Sequence, residues 1–116
     1  MSDPLTEIFG GRVVSSLLLQ LYHYNEGYAA GIALDTGFAL SAVQRQLQRL
    51  ENAGLLLSRT AGKTRLYSIN PKSAYATPLK GVLKVAYDTL SLSDRERLFP
   101  SRRRPRRPGK PVLSRK

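Results

Sequence analysis

The chain has 116 residues, a length that corresponds to one small domain and excludes an enzyme with separate cofactor and substrate domains. Apolar residues make up 41% and charged residues 23%, the proportions of a globular core, so a fully disordered chain is excluded. The absence of cysteine excludes disulfides, thiolate zinc sites and cysteine nucleophiles.

Positive charge is concentrated at the C-terminal end. The chain has 19 Lys and Arg against 8 Asp and Glu, a formal net charge of +11. Residues 101–116 hold 8 of these cations and no acid, which leaves a net charge of +3 on residues 1–100. A mildly basic domain with a strongly basic tail favours a polyanionic partner, nucleic acid first and an anionic membrane second.

Neither a membrane span nor a secretion signal is predicted. No apolar run approaches the roughly 20 residues that cross a bilayer. The first four residues, Met-Ser-Asp-Pro, lack the basic and then apolar pattern of a signal peptide. We therefore expect a cytoplasmic protein without a membrane partner.

Two helices are predicted in the first third of the chain. The first runs from Arg12 to about Tyr24, because apolar residues recur there at helical spacing, namely Val14, Leu17, Leu18 and Leu21. The second, shorter helix runs from Tyr28 to Thr36 with three side chains facing inward, Ala29, Ile32 and Ala33. Gly37 ends it, since a helix C-terminus prefers a residue that tolerates positive φ.

A third helix is predicted over Ala42–Ala53, with Ser41 as its N-cap and Gly54 just beyond its end. Its apolar residues are spaced four and three apart, which is typical of an amphipathic helix, at Val43, Leu47 and Leu50. The opposite face carries polar and basic side chains, namely Gln44, Arg45, Gln48 and Arg49.

A β-hairpin and a last helix are predicted next. Residues 55–60 and 64–69 read as two short strands around a turn that contains Gly62. A helix then runs from about Thr77 or Pro78 to Leu90, with an apolar stripe of Leu79, Val82, Leu83, Ala86 and Leu90. A further short helical piece or loop reaches Phe99. Beyond it, Arg, Pro and Lys dominate, so we expect a disordered tail.

This order of helix, helix, turn, helix and hairpin is that of a winged helix-turn-helix domain. We predict a mainly α fold with a small β-hairpin (α+β), with about four helices plus the wing in residues 1–99 and the basic tail in 100–116. In such a domain one helix crosses the phosphate backbone and the next enters the major groove, which is about 12 Å wide.

Two stretches carry a family resemblance. Residues 32–56, IALDTGFALSAVQRQLQRLENAGLL, closely resemble the helix-turn-helix of ArsR/MarR-like bacterial and archaeal regulators. Residues 62–71, GKTRLYSINP, resemble the wing of that family. The resemblance extends from about Leu5 to Leu90. It implies a sequence-specific transcriptional regulator that binds double-stranded DNA and is associated with the nucleoid of a prokaryotic cell. It also implies a homodimer, in which the terminal helices of the two copies contact each other.

The resemblance also assigns roles to individual residues. Base edges or nearby phosphates are the expected partners of five residues on the third helix, Ser41, Ala42, Gln44, Arg45 and Gln48. Arg49 is expected at the margin of the groove, and the wing contacts are assigned to Arg59, Lys63 and Arg65. Arginine pairs with guanine and glutamine with adenine, so these residue types suit base recognition.

The chain departs from the family pattern in two respects. Metal-sensing members use cysteine or histidine clusters, and here there is no Cys and one His, so we expect no metal and no other cofactor. No acid–base pair or nucleophile accompanies His23, so we expect no catalytic residue and no enzyme. Positions 29–31 are Ala-Ala-Gly, blander than the polar residues often found on that helix.

Alternatives remain for each group of cations. The polar face of the third helix is also compatible with a solvated surface, and the hairpin cations with an edge that keeps two strands soluble. The tail arginines fit either an arm laid along DNA or a solubility tail, and they are Arg102, Arg103, Arg104, Arg106 and Arg107. The alternative functions are a non-specific architectural protein that binds nucleic acid and a winged-helix adaptor for protein contacts, like an antitoxin.

Overall fold

The computed structural model describes residues 3–100. In this part of the chain it contains six helices and one antiparallel hairpin, in the order α1 Pro4–Phe9, α2 Arg12–Tyr24, α3 Ala29–Thr36, α4 Leu40–Asn52, β1 Leu56–Ala61, β2 Thr64–Ile69, α5 Ala76–Asp88 and α6 Leu92–Leu98. The predicted mainly helical α+β class with a small hairpin is thereby confirmed. None of these helices has the length and apolar character needed to cross a bilayer.

Helix α2 is the centre of the core. Its residues Leu17, Leu18 and Leu21 are fully buried, as their spacing predicts, and α2 packs against α1, α4, α5 and β2. Gln20 is buried as well, and its Nε2 donates to the Asp35 carboxylate in α3 and to the Leu98 carbonyl in α6. A buried amide with two partners is satisfied rather than costly, so Gln20 ties three helices together.

Helices α3 and α4 follow each other with only residues 37–39 between them. Gly37 has φ +82°, so α3 ends in the left-handed conformation that glycine adopts without strain. The predicted apolar stripe of α4 is confirmed, because Val43, Leu47 and Leu50 are all buried. Helix α4 is thus held against the core by one face along its whole length.

The start of α4 differs from the prediction. Its N-cap is Ala39, whose carbonyl accepts from the Val43 N–H at 3.1 Å. The expectation that Ser41 is the N-cap is therefore wrong, and the helix spans Leu40–Asn52 rather than 42–53. The short turn after Gly37 leaves Ala39 extended and starts the helix two residues early, so Ser41 lies in its first turn.

The hairpin closes over a two-residue turn, with Ala61 paired to Thr64. Its second strand has one further backbone partner, because the Gly27 N–H donates to the Tyr67 carbonyl at 3.0 Å and the Tyr67 N–H donates back at 2.7 Å. A Cβ on residue 27 would lie 3.1 Å from Leu21 Cδ2 and 3.3 Å from Ile32 Cδ1, so a larger residue here would crowd these core side chains. Tyr67 and Ile69 are both buried, since residues two apart on a strand share a face.

The terminal helices complete the core, and they bring the helices of residues 3–100 to six rather than about four. Helix α1, capped by the Asp3 side chain on the Thr6 N–H, was not predicted at all, because six residues carry too little periodicity. Helix α6 corresponds to the short helical piece or loop that was predicted up to Phe99. Helix α5 buries Leu83 as predicted, whereas Val82 is 39% exposed, so its place in the buried stripe is wrong.

Candidate functional site

One face of α4 presents only polar and basic side chains. Ser41, Gln44, Arg45, Gln48 and Arg49 are all exposed, and their spacing places them on one side of the helix. We call these five residues the α4 polar face. Ala42, the sixth predicted contact on this helix, is half-buried at its border. A helix of 13 residues is about 20 Å long, so the face is a narrow ridge.

Hydrogen bonds on this ridge stay within the helix. Gln48 Nε2 donates to Asn52 Oδ1 at 3.0 Å, and Arg49 Nε donates to Gln46 Oε1 at 2.9 Å. Arg45 has no hydrogen bond or ion pair with any residue among 3–100. An external partner can therefore accept hydrogen bonds from all three side chains. Gln48 and Arg49 would each give up only a weak surface hydrogen bond, and Arg45 would give up none.

An additional cation lies near the start of α4. The Arg12 guanidinium carbon lies 5.9 Å from the centroid of the Phe38 ring, and Phe38 belongs to the segment between α3 and α4. Arg12 is exposed at the first turn of α2. Its place near α4 could not be predicted from the sequence, because 26 residues separate it from Phe38 and only the packing of α2 brings the two together.

The three predicted hairpin cations have different environments. Lys63 is exposed in the turn and has no ion pair within residues 3–100. Arg59, on β1, forms a bidentate pair with Glu26, with Nε to Oε2 at 2.8 Å and Nη2 to Oε1 at 2.9 Å. This hydrogen bond, and secondarily the charge of Glu26, raises the pKa of Arg59 above its ordinary value.

Arg65, on β2, is held through a serine. Its Nε donates to Ser58 Oγ at 3.0 Å, and Ser58 Oγ donates to Glu51 Oε2 at 2.6 Å. The Arg65 guanidinium also lies 3.8 Å from that Glu51 oxygen. Neither Glu26 nor Glu51 was singled out in the sequence, because an acid that pairs with a distant arginine has no local signature.

Apolar side chains are exposed on two helices that pack against each other, α1 and α5. Ile8 of α1 is 64% exposed, Tyr75 just before α5 is 69% exposed, and Val82 and Val85 of α5 are 39% and 65% exposed. We call these four residues the α1/α5 apolar surface. Exposed apolar residues on neighbouring elements are typical of surfaces that bind another protein.

Some predicted contacts lie outside the described residues. These are the tail arginines Arg102, Arg103, Arg104, Arg106 and Arg107. Within residues 3–100, no three His, Asp or Glu side chains converge in a way that suits a metal ion. Comparison with protein families, with curated proteins and with solved structures finds no match to this chain. A functional assignment therefore depends on the residues and their geometry.

Proposed function

We propose that this protein is a winged helix-turn-helix regulator of transcription, located in the cytoplasm with the nucleoid, that binds double-stranded DNA in a sequence-specific manner. The observation that carries the proposal is the exposed α4 polar face, which stands between a short preceding helix and a following hairpin. In this assignment α3 and α4 are the helix-turn-helix, α4 is the recognition helix and the hairpin is the wing.

The α4 polar face suits the major groove chemically. A groove about 12 Å wide accepts one helix, provided that the side chains facing the bases are polar and are not needed by the core. Arg45 is the strongest candidate for a guanine contact, since it is exposed and has no partner among residues 3–100. Gln44 and Gln48 suit adenine, and Ala42 at the border suits a thymine methyl group.

Backbone contacts are assigned to the remaining cations. Arg49 stands at the groove margin, Arg12 beside the start of α4, and Lys63 at the tip of the wing. The tail arginines extend this set to phosphates beyond the globular domain. These contacts position the protein on DNA without reading its sequence.

We also propose that two copies bind together through the α1/α5 apolar surface. A dimer presents two recognition helices to half-sites about 34 Å apart, one helical turn of DNA. Burial of Ile8, Tyr75 and Val85 against a second copy removes their apolar area from water, which is the main driving force for association. No enzymatic activity and no cofactor are part of the proposal.

A double substitution on the recognition helix tests the assignment. Selection of bound fragments from genomic DNA first supplies a preferred duplex, and binding to it is compared with binding to random duplex. R45A/Q48A should lose roughly 1–3 kcal/mol of specific binding for each base contact removed. Neither side chain supports the core, so the melting temperature should stay close to that of the unmodified chain.

The matched control is K80A on α5, an exposed cation on a different helix. It should leave discrimination between preferred and random duplex unchanged. Unchanged discrimination in R45A/Q48A would show that α4 is not the recognition helix. Equal affinity of the unmodified chain for all duplexes would instead favour an architectural protein, and no affinity for any duplex would favour a protein-binding adaptor.

A further inference from the structure

The two wing arginines are directed to opposite sides of the hairpin. Residues opposite each other in antiparallel strands share a face, and the face alternates along each strand. In the strand register Arg59 lies opposite Leu66. Arg65 lies opposite Thr60, on the same face of the hairpin as Ser58 and Tyr67. Each arginine meets a different glutamate of the helical body, Glu26 on one face and Glu51 on the other.

The Glu26–Arg59 pair spans the second strand. Glu26 precedes Gly27, whose backbone is bridged to Tyr67 of β2, and Arg59 belongs to β1 on the far side of β2. Two hydrogen bonds in a bidentate geometry fix both the distance and the orientation of the two side chains. The pair therefore joins the loop between α2 and α3 to the outer strand of the hairpin.

The Glu51 contact anchors the other face. Glu51 lies in the last turn of α4, and its Oε2 accepts from Ser58 of β1. Its Oε1 is buried and has no hydrogen-bond partner among the described residues. The Arg65 guanidinium lies 3.8 Å from the other oxygen, Oε2, and so places a positive charge beside this partly desolvated carboxylate. The pair joins the end of the recognition helix to both strands.

From this arrangement we infer that Glu26 and Glu51 are positioning residues for DNA binding, and that Arg59 and Arg65 serve them rather than DNA. The two pairs hold the hairpin from both faces and so fix the position of Lys63, in its turn, relative to the α4 polar face. The inference rests on the proposed function for its role in DNA binding, but the clamping itself is a property of the free protein.

Direct DNA contact by these arginines is disfavoured on electrostatic grounds. Arg59 would have to exchange a bidentate carboxylate for a phosphate, and Glu26 would then be left unpaired beside a polyanion. The same exchange at Arg65 would remove the cation beside Glu51, whose buried Oε1 already has no hydrogen-bond partner among the described residues. Held in pairs, the four side chains contribute no net charge to the DNA-facing surface.

The effect of E26Q on DNA affinity has opposite signs for an Arg59 that positions the hairpin and an Arg59 that contacts phosphate. If Arg59 is a positioning residue, E26Q and R59Q each weaken binding to the preferred duplex by a similar factor, on the order of 2- to 5-fold, and the double variant is no weaker than either. The slope of affinity against salt stays unchanged. If Arg59 contacts phosphate, E26Q strengthens binding and R59Q flattens that slope by about 0.9.

The same cycle applies to the other face, with E51Q, R65Q and their combination. E96Q is the matched control, because Glu96 is an exposed acid on α6 and its substitution removes the same charge. It should alter neither hairpin geometry nor discrimination between duplexes. Strengthened binding in E26Q alone among the three acid variants would overturn the inference for Arg59.

A measurement without DNA keeps the inference independent of the proposed function. Amide hydrogen exchange at Gly27 and Tyr67 reports the bridge beside Glu26. E26Q and R59Q should accelerate exchange at both amides by a similar factor, and E96Q should not. Unchanged amide exchange in E26Q and R59Q would overturn the role of the pair in holding the hairpin, even if the protein binds DNA. Accelerated amide exchange in these variants, in a protein that binds no duplex, would overturn only the proposed function.

Discussion

His23 lies where the end of α2 meets α5 and α6. Its Nδ1 lies 2.7 Å from the Tyr87 hydroxyl, and its ring stacks on Phe99 with 4.1 Å between centroids. Partial burial lowers the pKa of His23 below its ordinary value of 6.5, and the positive charge of Arg95 lowers it further. The folded protein therefore favours the neutral imidazole, which suits a structural contact between three helices.

This lowered pKa predicts a pH-dependent stability. As the pH falls, the unfolded chain, with a His pKa near 6.5, takes up the proton before the folded one. The stability that is fully present above pH 6.5 is lost as the pH falls toward the folded pKa. Denaturant unfolding between about pH 5.5 and 7 should show this decline, since carboxylates titrate mainly near pH 4.

H23F should remove the decline in that range, because the chain contains one His. Y87F is the control, since it deletes the hydroxyl partner but keeps the titrating ring, so a dependence on pH should persist. An NMR titration gives the pKa of His23 directly, and a value at or above 6.5 in the folded protein would contradict this account.

Arg45 and Arg59 show how surroundings separate residues of the same type. Both are exposed arginines and both were predicted to contact DNA. Arg45 has no partner within residues 3–100, whereas Arg59 is engaged by both oxygens of Glu26. Helical spacing predicted that Arg45 lies on the polar face of α4, but the pairing of Arg59 could not be predicted, because 33 residues separate Glu26 from Arg59.

Among the predicted helices, the buried face of α4 was predicted in full and that of α5 only in part. The stripe of Val43, Leu47 and Leu50 is strictly periodic, so the buried face of α4 followed from the sequence. In α5 apolar residues occur on two faces, at Leu83 and at Val85. Periodicity does not say which apolar face meets the core and which is left for another partner.

The exposed face of α5 predicts the effect of a charge. V85D places a carboxylate on the α1/α5 apolar surface, where a second copy would have to desolvate it without a partner. We expect the dimer to dissociate while the helical content remains, because Val85 is 65% exposed and does not support the core. Sedimentation equilibrium and circular dichroism measure the two quantities.

The matched control for V85D is L92D, which charges an equally exposed apolar residue on α6, 73% exposed in the structure. An acid at the start of a helix is well tolerated, so L92D should leave the oligomeric state unchanged. A V85D chain that remains dimeric would place the interface elsewhere, and a monomeric unmodified chain at micromolar concentration would remove the dimer from the proposal.

For the whole molecule, ion pairing redistributes the charge. Residues 1–100 carry a net charge of +3, and the structure pairs Arg59, Arg65, Lys84 and Arg97 with carboxylates. The cations of the α4 polar face, Arg45 and Arg49, are outside these pairs. Within residues 3–100, the exposed cations without an ion pair therefore include Arg45 and Arg49 on α4, Lys63 at the hairpin tip and Arg12 near the start of α4, together with Lys72 and Lys80 elsewhere on the surface.

Removal of residues 101–116 should lower affinity for preferred and random duplexes by the same factor. Each phosphate contact that is lost should flatten the dependence of log affinity on log salt by about 0.9. Discrimination between the duplexes should persist, because base contacts are assigned to α4. Titrations at several salt concentrations measure both the slope and the ratio.

A 116-residue chain in which all 8 Lys and Arg of residues 101–116 are replaced by glutamine is the control for tail length, and it should behave like the truncated chain. If the slope of log affinity against log salt is unchanged in both variants, the tail makes no contact with phosphate. A changed ratio between preferred and random duplex would mean that the tail itself reads sequence or shape, as an arm inserted into the minor groove does.

The sequence by itself determined the features that depend on near neighbours. Helical spacing predicted the buried stripe of α4 and its polar opposite face, the two short strands around Gly62 predicted the hairpin, and composition separated the basic tail from the domain. Only the tertiary structure decided which cations are available, because pairs such as Glu26 with Arg59 form when the Gly27–Tyr67 bridge brings distant segments together. Local periodicity fixes which side of an element is buried, whereas the charge that the other side presents depends on which residues fold against it.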